Sequence, residues 1–260
     1  MIIQCMPSPL HESVSSVFSD GIGKTKMDLP PDIRSKLRMK HNQEYRGFGD
    51  GWDGSAKVPD LALEVKNDAG KPEVRWVLEV GFDETYDQLR KNMKLWLEGY
   101  SEVSMVVIVK ITEDPPYRCP ISPDEDLQQL GIPSEEEEVL YKDVDCQGEY
   151  GPALYKGHQW VGRISEVFLE TWVRGDDGKA RRYGNRRSLL PPAKPRVRIP
   201  LGEFLDLPPN QKKTIPFNID NFRAVLGRGI KQLAVLRCQR AIKKHAERMG
   251  EGPADEEYQP

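Results

Sequence analysis

The chain lacks the features that mark membrane, zinc and disulfide proteins. None of its apolar runs approaches the roughly 20 residues that a membrane-spanning helix needs. Its four cysteines are far apart without a C-x-x-C pair, and its four histidines are equally scattered. The sequence therefore predicts neither a zinc site nor histidine-based catalysis. The first ten residues show no secretory signal, and isolated thiols fit an intracellular protein, nuclear or cytoplasmic rather than secreted.

The chain also lacks a net charge of either sign that would point to a partner. Its 260 residues carry 38 Lys and Arg against 41 Asp and Glu, a net charge of −3. That average hides a division, because residues 1–175 carry a charge of −11 and residues 176–260 a charge of +8. The basic C-terminal part is therefore compatible with a polyanionic partner such as nucleic acid.

The best-ordered part of the sequence predicts an α+β fold built on a β-hairpin. Residues 58–65 and 75–82 alternate between apolar and polar side chains and flank a turn-rich segment. Apolar residues at helical spacing predict a helix over 84–99, and the apolar run 103–111 predicts a strand buried on both faces. A further helix is predicted over 31–43. The resulting order helix, strand, strand, helix, strand predicts a mixed central sheet.

The remaining sequence predicts one domain with appendages. Residues 46–57 form a connection or a short irregular strand, a second hairpin pairs 160–173 with 180–190, and a basic amphipathic helix covers 220–249. The predicted organisation is a partly ordered segment 1–27, a single domain 28–249 and an acidic tail 250–260. Within that domain, 28–111 is the core, 113–158 an acidic insertion that is at most partly structured, and 159–249 a hairpin with a basic C-terminal extension.

Two carboxylates of the first hairpin are candidate metal ligands. If the turn is centred between residues 69 and 70, facing residues have numbers that add to 139, so Asp60 lies opposite Glu79 and Glu64 opposite Arg75. Opposed carboxylates repel one another unless a cation lies between them, and oxygen ligands suit Mg²⁺ or Mn²⁺. The pair also has a simpler explanation, in which Asp60 is a turn residue and Glu79 is a single glutamate that the strand tolerates. Against this explanation, Glu79 lies in a segment that is otherwise apolar.

The motifs around this pair resemble those of the PD-(D/E)xK restriction-endonuclease-like superfamily, most closely an uncharacterised fungal branch. Residues 57–61 (KVPDL), 77–81 (VLEVG) and 94–98 (KLWLE) carry the resemblance, with weaker similarity at 170–172 (ETW) and 199–204 (IPLGEF). The resemblance implies a restriction-endonuclease-like αβββαβ core with a mixed central sheet, extended here by a second β-hairpin and a C-terminal helix. It also implies Asp60 and Glu79 as metal ligands and a lysine that orients or activates the attacking water.

The position of that lysine departs from the superfamily pattern. Gly81 stands two residues after Glu79, where the superfamily lysine usually lies. In related branches the following helix supplies the lysine, and this helix offers Lys94, directly before Leu-Trp-Leu-Glu, and secondly Lys91. Both lysines also fit a solvated outer face, and Gln88 is a polar alternative.

A competing register for the site remains open. It takes Glu64 and Lys66 as the E-x-K pair with Asp50 or Asp53 upstream, although Lys66 would lie beside the turn. A further acid from the first predicted helix region, such as Glu44, is a weaker alternative.

A basic strip over residues 179–198 begins at the second strand of the second hairpin and is the candidate nucleic-acid surface. It places eight cations within 20 residues, including Arg181, Arg182, Arg186 and Arg187. Such a strip can follow the phosphate backbone of DNA, with salt-sensitive binding and no base specificity. It could instead be a solvated face or a partner for the acidic insertion.

The sequence thus leads to a metal-dependent phosphodiesterase, a nuclease acting on nucleic acid and first of all on DNA. The alternative is a catalytically inactive nucleic-acid-binding or protein-interaction module on the same fold, since the lysine is absent at Gly81. No membrane association is expected, and a homo-oligomer is compatible with the sequence.

Overall fold

The structure, a computed structural model, describes residues 8–122, 125–207 and 213–250. The chain divides into two compact units. Unit 1 combines residues 1–112 with 166–226, and unit 2 combines 113–165 with 227–260. The predicted acidic tail lies, from residue 251 onward, outside the described residues.

Within the described residues there are four α-helices and fourteen strands, which are numbered in chain order. The helices are α1 (Pro9–Met27), α2 (Pro31–Lys36), α3 (Tyr86–Gly99) and α4 (Ile219–Gly250). The strands are β1 (Leu37–Lys40), β2 (Tyr45–Arg46), β3 (Ala56–Lys57), β4 (Leu61–Lys66), β5 (Pro72–Gly81), β6 (Met105–Asp114), β7 (Asp145–Cys146), β8 (Ala153–Tyr155), β9 (His158–Val161), β10 (Arg163–Arg174), β11 (Ala180–Arg182), β12 (Arg187–Ser188), β13 (Arg198–Pro200) and β14 (Thr214–Pro216).

A seven-stranded mixed sheet forms the centre of unit 1. Its order is β1-β4-β5-β6-β10-β11, and β12 also pairs with β10. Strands β5 and β6 are parallel and are joined through α3, whereas β4 pairs with both β1 and β5 in antiparallel fashion. The predicted α+β class with a mixed sheet and a C-terminal helix is confirmed, and so is the second hairpin, in which β10 pairs with β11 and β12.

The first hairpin has the predicted register only in the half that carries the candidate site. Leu61 pairs with Leu78 and Leu63 with Trp76, as the sum of 139 requires. A bulge between residues 63 and 64 then places Glu64 opposite Val74, so the predicted pairing of Glu64 with Arg75 is wrong. An extra residue on one strand shifts every later pair, which alternation of side chains does not reveal.

Helix α1 overturns the prediction of a partly ordered N-terminal segment for residues 9–27. The Ser8 hydroxyl accepts the N–H of His11 at the helix N-terminus, and Phe18 is fully buried with its ring 5.8 Å from that of Trp76. A Cβ on Gly21 would lie 2.3 Å from Pro216 O, so the glycine allows close packing. Ser13, Ser15 and Gly21 of this helix are buried, although a serine- and glycine-rich composition is typical of a loop.

The helix predicted over residues 31–43 is too long. Helix α2 ends at Lys36, and residues 37–40 form the sheet edge, with Leu37 opposite Val65. Pairing with β4 provides hydrogen-bond partners for the backbone N–H and C=O groups of this segment. Such a tertiary interaction overrides local helix propensity.

Helix α3 covers the sheet face that carries the candidate site. Leu89, Met93 and Trp96 of α3 are fully buried and pack in one cluster with sheet residues such as Val77 and Ile108. The predicted amphipathic helix over 84–99 is confirmed with a start at Tyr86, where the Thr85 side chain accepts the N–H of Gln88.

Unit 2 contains a three-stranded sheet, β7-β8-β9, where the sequence predicted little order. Unit 2 also holds a buried ion pair, in which Arg237 donates to both carboxylate oxygens of Glu113 at 2.7 and 2.9 Å. Arg237 also donates to Trp160 O at 3.0 Å, and its guanidinium lies 4.0 Å from the centre of the Tyr117 ring. Glu113 additionally accepts the N–H of Gly162 at 2.6 Å.

Candidate functional site

The structure brings Asp60 and Glu79 together at the end of the first hairpin. Asp60 directly precedes β4, and the N–H of Val80 in β5 donates to its Oδ2 at 2.7 Å. This hydrogen bond holds the Asp60 carboxylate near Glu79, and the pKa of Glu79 is raised first by burial and further by the charge of Asp60. The two candidate ligands therefore form a local pair, as the predicted register requires.

Glu79 is nearly inaccessible, at 3% exposure, and two side chains hold its carboxylate. The indole N–H of Trp96 donates to Oε1 at 2.6 Å, and the amine of Lys57 lies 3.2 Å from Oε2. Trp96 belongs to the Lys-Leu-Trp-Leu-Glu segment and Lys57 opens the segment before Asp60. Side chains from the three motifs, residues 57–61, 77–81 and 94–98, therefore meet at the carboxylate of Glu79.

The charge balance of the pair favours protonation or a bound cation. Burial, together with the charge of Asp60, raises the pKa of Glu79 to about 7, although Lys57 and Trp96 oppose the shift. Burial likewise raises the pKa of Asp60 to about 6, while the Val80 N–H and Lys57 oppose that shift. The amine of Lys57 balances one negative charge, so the buried Glu79 and the half-buried Asp60 together would leave an excess of negative charge when both are ionised.

Further ionisable groups surround the pair at the carboxyl ends of β5 and β6. The half-buried Glu84 has a pKa that is raised by burial and by the charge of Glu79. Lys110 lies on the neighbouring strand, where its amine donates to Phe82 O and Ile111 O at 2.8 Å each. His11 of α1 also faces these acids, and burial lowers its pKa.

The structure does not bring Lys94 or Lys91 to the pair. Both side chains are exposed on α3, and within the described residues no hydrogen bond or ion pair joins either amine to Asp60 or Glu79. The amine at the site is that of Lys57. The lysine three residues before Asp60 is the signal in the sequence for this contact, whereas the glycine at position 81 favours a lysine from the following helix.

The other candidates also lie apart from the pair. Gln88 is exposed and donates to Asn92 Oδ1. In the competing register, Glu64 accepts the hydroxyl of Tyr45 at 3.2 Å and lies 3.7 Å from the Lys40 amine, which accounts for its burial. Among the described residues, Glu64 has no hydrogen bond or ion pair with the other candidates of that register, Asp50, Asp53 and Lys66. Glu44, the separate weaker alternative, accepts a hydrogen bond from Arg46.

A second polar centre, the Glu170 cluster, joins the predicted basic strip to the sheet. Glu170 of β10 is fully buried and accepts Tyr86 OH at 2.8 Å, Trp172 Nε1 at 3.1 Å and Arg186 Nε at 2.9 Å, while Arg182 lies 3.5 Å away. Burial raises the pKa of Glu170, but these hydrogen bonds outweigh it and hold the pKa below its usual value. The Glu170-Thr171-Trp172 segment therefore supplies a buried anion that fixes arginines.

Replacing Glu170 by glutamine is expected to lower the free energy of unfolding by about 1–3 kcal/mol, because charged hydrogen bonds at a buried site are lost. Urea unfolding followed by circular dichroism measures this change. Glu166→Gln, an exposed change on the same strand, is the matched control and should alter stability by less than about 0.5 kcal/mol. Equal stabilities of Glu170→Gln and wild type would contradict the expected role.

The four predicted nucleic-acid-binding arginines are all exposed, but three have acidic neighbours within unit 1. Arg182 and Arg186 contact Glu170, and Arg181 bonds Asp177 at 3.0 Å. The Arg186 guanidinium also lies 3.8 Å from the centre of the Phe168 ring. With Arg187 on β12, the arginines form a fixed cationic surface whose role in nucleic-acid binding stays a prediction.

Comparisons with known proteins assign the chain to no family. No protein-family model matches the chain, and no curated protein or solved structure matches it. In the part of the chain that the structure describes, there is no group of three or more His, Cys, Asp or Glu side chains that could hold a metal ion. No helix among the described residues is long and apolar enough to cross a membrane.

Proposed function

We propose that the protein is a metal-dependent phosphodiesterase that cleaves nucleic acid, first of all DNA, on a restriction-endonuclease-like core. The observation that carries the proposal is the pair of the half-buried Asp60 and the buried Glu79, two neighbouring carboxylates with the amine of Lys57 3.2 Å from Glu79. Such a pair costs stability, and perturbed carboxylates of this kind are concentrated at functional sites. The order α2, β1, β4, β5, α3 and β6 agrees with the αβββαβ core.

The residues fit a Mg²⁺ or Mn²⁺ ion. Mg²⁺ is commonly held by one or two carboxylates and completes its shell with water and substrate phosphate, so the site does not need a third acidic ligand. Asp60 and Glu79 would hold the ion, because burial raises the pKa values of both carboxyls and a bound cation would stabilise their charged forms. When bound, the metal would polarise the phosphodiester and make a bound water more acidic.

Lys57 is the proposed amine of the site in place of Lys94 or Lys91. Its ammonium holds Glu79 in position at 3.2 Å and adds positive charge where a substrate phosphate would lie. The exposed side chains of Arg181, Arg182, Arg186 and Arg187 are the proposed contacts to the nucleic-acid backbone.

The test is nicking of supercoiled plasmid in Mg²⁺ or Mn²⁺, with EDTA as the blank. Cleavage by the wild type should be lost in EDTA and should fall by about 10²–10³-fold in Asp60→Asn, which can still accept the Val80 N–H. Asp68→Asn is the matched control, because this turn carboxylate is fully exposed and should leave cleavage unchanged. Equal cleavage by Asp60→Asn and wild type would rule out this site.

One observation favours the alternative of a catalytically inactive module that binds nucleic acid or protein. Lys57 already supplies a cation to Glu79, so the chain itself neutralises part of the charge that a metal would balance. Salt-sensitive DNA binding without cleavage would favour the nucleic-acid-binding module. Absence of both would favour a protein-interaction module.

A further inference from the structure

Glu84 lies in the space that a side chain at position 81 would occupy. A Cβ atom on Gly81 would be 3.2 Å from Glu84 Cγ and 3.3 Å from Glu84 Oε1, distances tighter than most real contacts. The same Cβ would be 3.0 Å from Leu89 Cδ2. The glycine therefore leaves room for a carboxylate that comes from three residues further along the chain.

The Glu84 carboxylate is fixed and faces the charges of the site. Asn92 of α3 donates to Oε2 at 3.1 Å, which orients the group and leaves Oε1 on the side of Gly81. Burial raises the pKa of Glu84, and so does the charge of Glu79, whereas Lys57, His11 and Lys110 lower it, so Glu84 lies within electrostatic reach of Glu79 and of the Lys57 amine. It remains half-buried, and solvent can therefore reach it.

The two neighbouring carboxylates, Asp60 and Glu79, are the proposed metal ligands and would hold the ion in their charged form. Asp60 also accepts the Val80 N–H, and the two oxygens of Glu79 face Trp96 and Lys57. A carboxylate with a raised pKa that is still open to solvent is suited to accept a proton. Glu84 has this combination of properties.

We propose that Glu84 is the general base that takes the proton of the attacking water. The assignment rests on the proposed phosphodiesterase function and deepens it. The water O–H bond breaks and its proton passes to Glu84, while a lone pair of the water oxygen forms the new bond to phosphorus. The P–O ester bond breaks, and its electron pair leaves on the alkoxide oxygen, which takes a proton from solvent. Glu84 then releases its proton, so one water is consumed and a phosphomonoester and an alcohol are formed.

The first experiment separates turnover from binding. Glu84→Gln keeps the shape and the acceptor for Asn92, and it should lower kcat for plasmid nicking by about 10²–10³-fold. Its affinity for Mn²⁺ and for DNA should stay within about 2-fold of the wild type, because the proposed role begins after both have bound. The matched control is Asp87→Asn, an exposed acid in the first turn of α3, which should cleave at the wild-type rate.

The second experiment is chemical rescue with formate. Glu84→Ala leaves a space beside Gly81 that a small carboxylate can enter. Formate should therefore raise the kcat of this variant by at least about 10-fold over its value without formate. Formate should not restore kcat in Glu79→Ala, because the carboxylate that this variant lacks is a proposed metal ligand. A purely structural role for Glu84 would give no rescue in a correctly folded variant.

The outcomes distinguish the two proposals. If the wild type cleaves, Glu79→Gln does not and Glu84→Gln keeps the full kcat, the role of Glu84 is overturned and the phosphodiesterase stands. Loss of Mn²⁺ affinity in Glu84→Gln would likewise overturn the role as base and make Glu84 a ligand. If the wild type itself does not cleave, both proposals fail.

Discussion

Replacing Glu79 by glutamine is expected to abolish cleavage and at the same time to stabilise the folded protein at neutral pH. A neutral amide is a poor ligand for Mg²⁺, so cleavage should fall by about 10³-fold, or about 4 kcal/mol of transition-state free energy. Glutamine still accepts the Trp96 indole N–H and no longer requires a buried charge. The free energy of unfolding at pH 7.5 without metal should therefore rise by on the order of 2 kcal/mol.

The pH dependence of stability follows from the raised pKa of Glu79, about 7 in the folded protein against 4.5 for an ordinary glutamate. The folded state binds the proton more tightly than the unfolded state, so wild-type stability in EDTA should fall as the pH rises from 4.5 to 7. Urea titrations at pH 5 and pH 7.5 should show this fall, and the fall should be smaller in Glu79→Gln. The matched control Glu73→Gln, on the same strand, should keep the wild-type slope. A glutamine variant that is less stable than the wild type at pH 7.5 would contradict the prediction.

Replacing Arg237 by alanine is expected to destabilise unit 2 by about 3–5 kcal/mol. The change removes both hydrogen bonds to Glu113 and leaves a buried carboxylate without its counter-charge, at a side-chain exposure of only 6%. It also removes the guanidinium from the Tyr117 ring. Chemical unfolding with a probe in unit 2, such as the fluorescence of Trp160 in a variant that lacks the other tryptophans, measures the loss.

Two further variants identify the cause of that loss. Arg240→Ala removes an exposed arginine from the same helix and should change stability by less than about 0.5 kcal/mol. The double change Arg237→Met with Glu113→Leu removes both charges and should recover much of the stability, because no isolated buried charge remains. A double variant no more stable than Arg237→Ala would show that packing, and not the charge pair, dominates.

The sequence could predict the part of the site that depends on strand alternation. Asp60 directly precedes β4 and Glu79 lies on β5, and a short turn joins these two strands, so local pattern and turn position were sufficient. Lys57 and Glu84 could not be placed in the same way. Lys57 reaches Glu79 from a two-residue strand in an irregular connection, and Glu84 enters through the space at Gly81, so both depend on tertiary packing.

The same limit explains the errors in the fold. Residues 9–27 have the serine and glycine content of a loop, yet α1 is held by burial of residues such as Phe18 against the sheet. Residues 37–40 become a strand because β4 offers an open edge. In both cases the deciding interactions come from residues far away in the chain, which local propensity does not contain.

The hydrogen bond from Trp96 to Glu79 gives the site its own spectroscopic signal. The chain has five tryptophans, so a ¹⁵N–¹H NMR spectrum contains at most five indole resonances. The indole N–H of Trp96 lies 2.6 Å from the carboxylate oxygen of Glu79, and its chemical shift depends on the charge of that oxygen. A single resolved signal can therefore follow the ionisation of Glu79, and the arrival of a cation or a phosphate, in the unmodified protein and without a turnover assay.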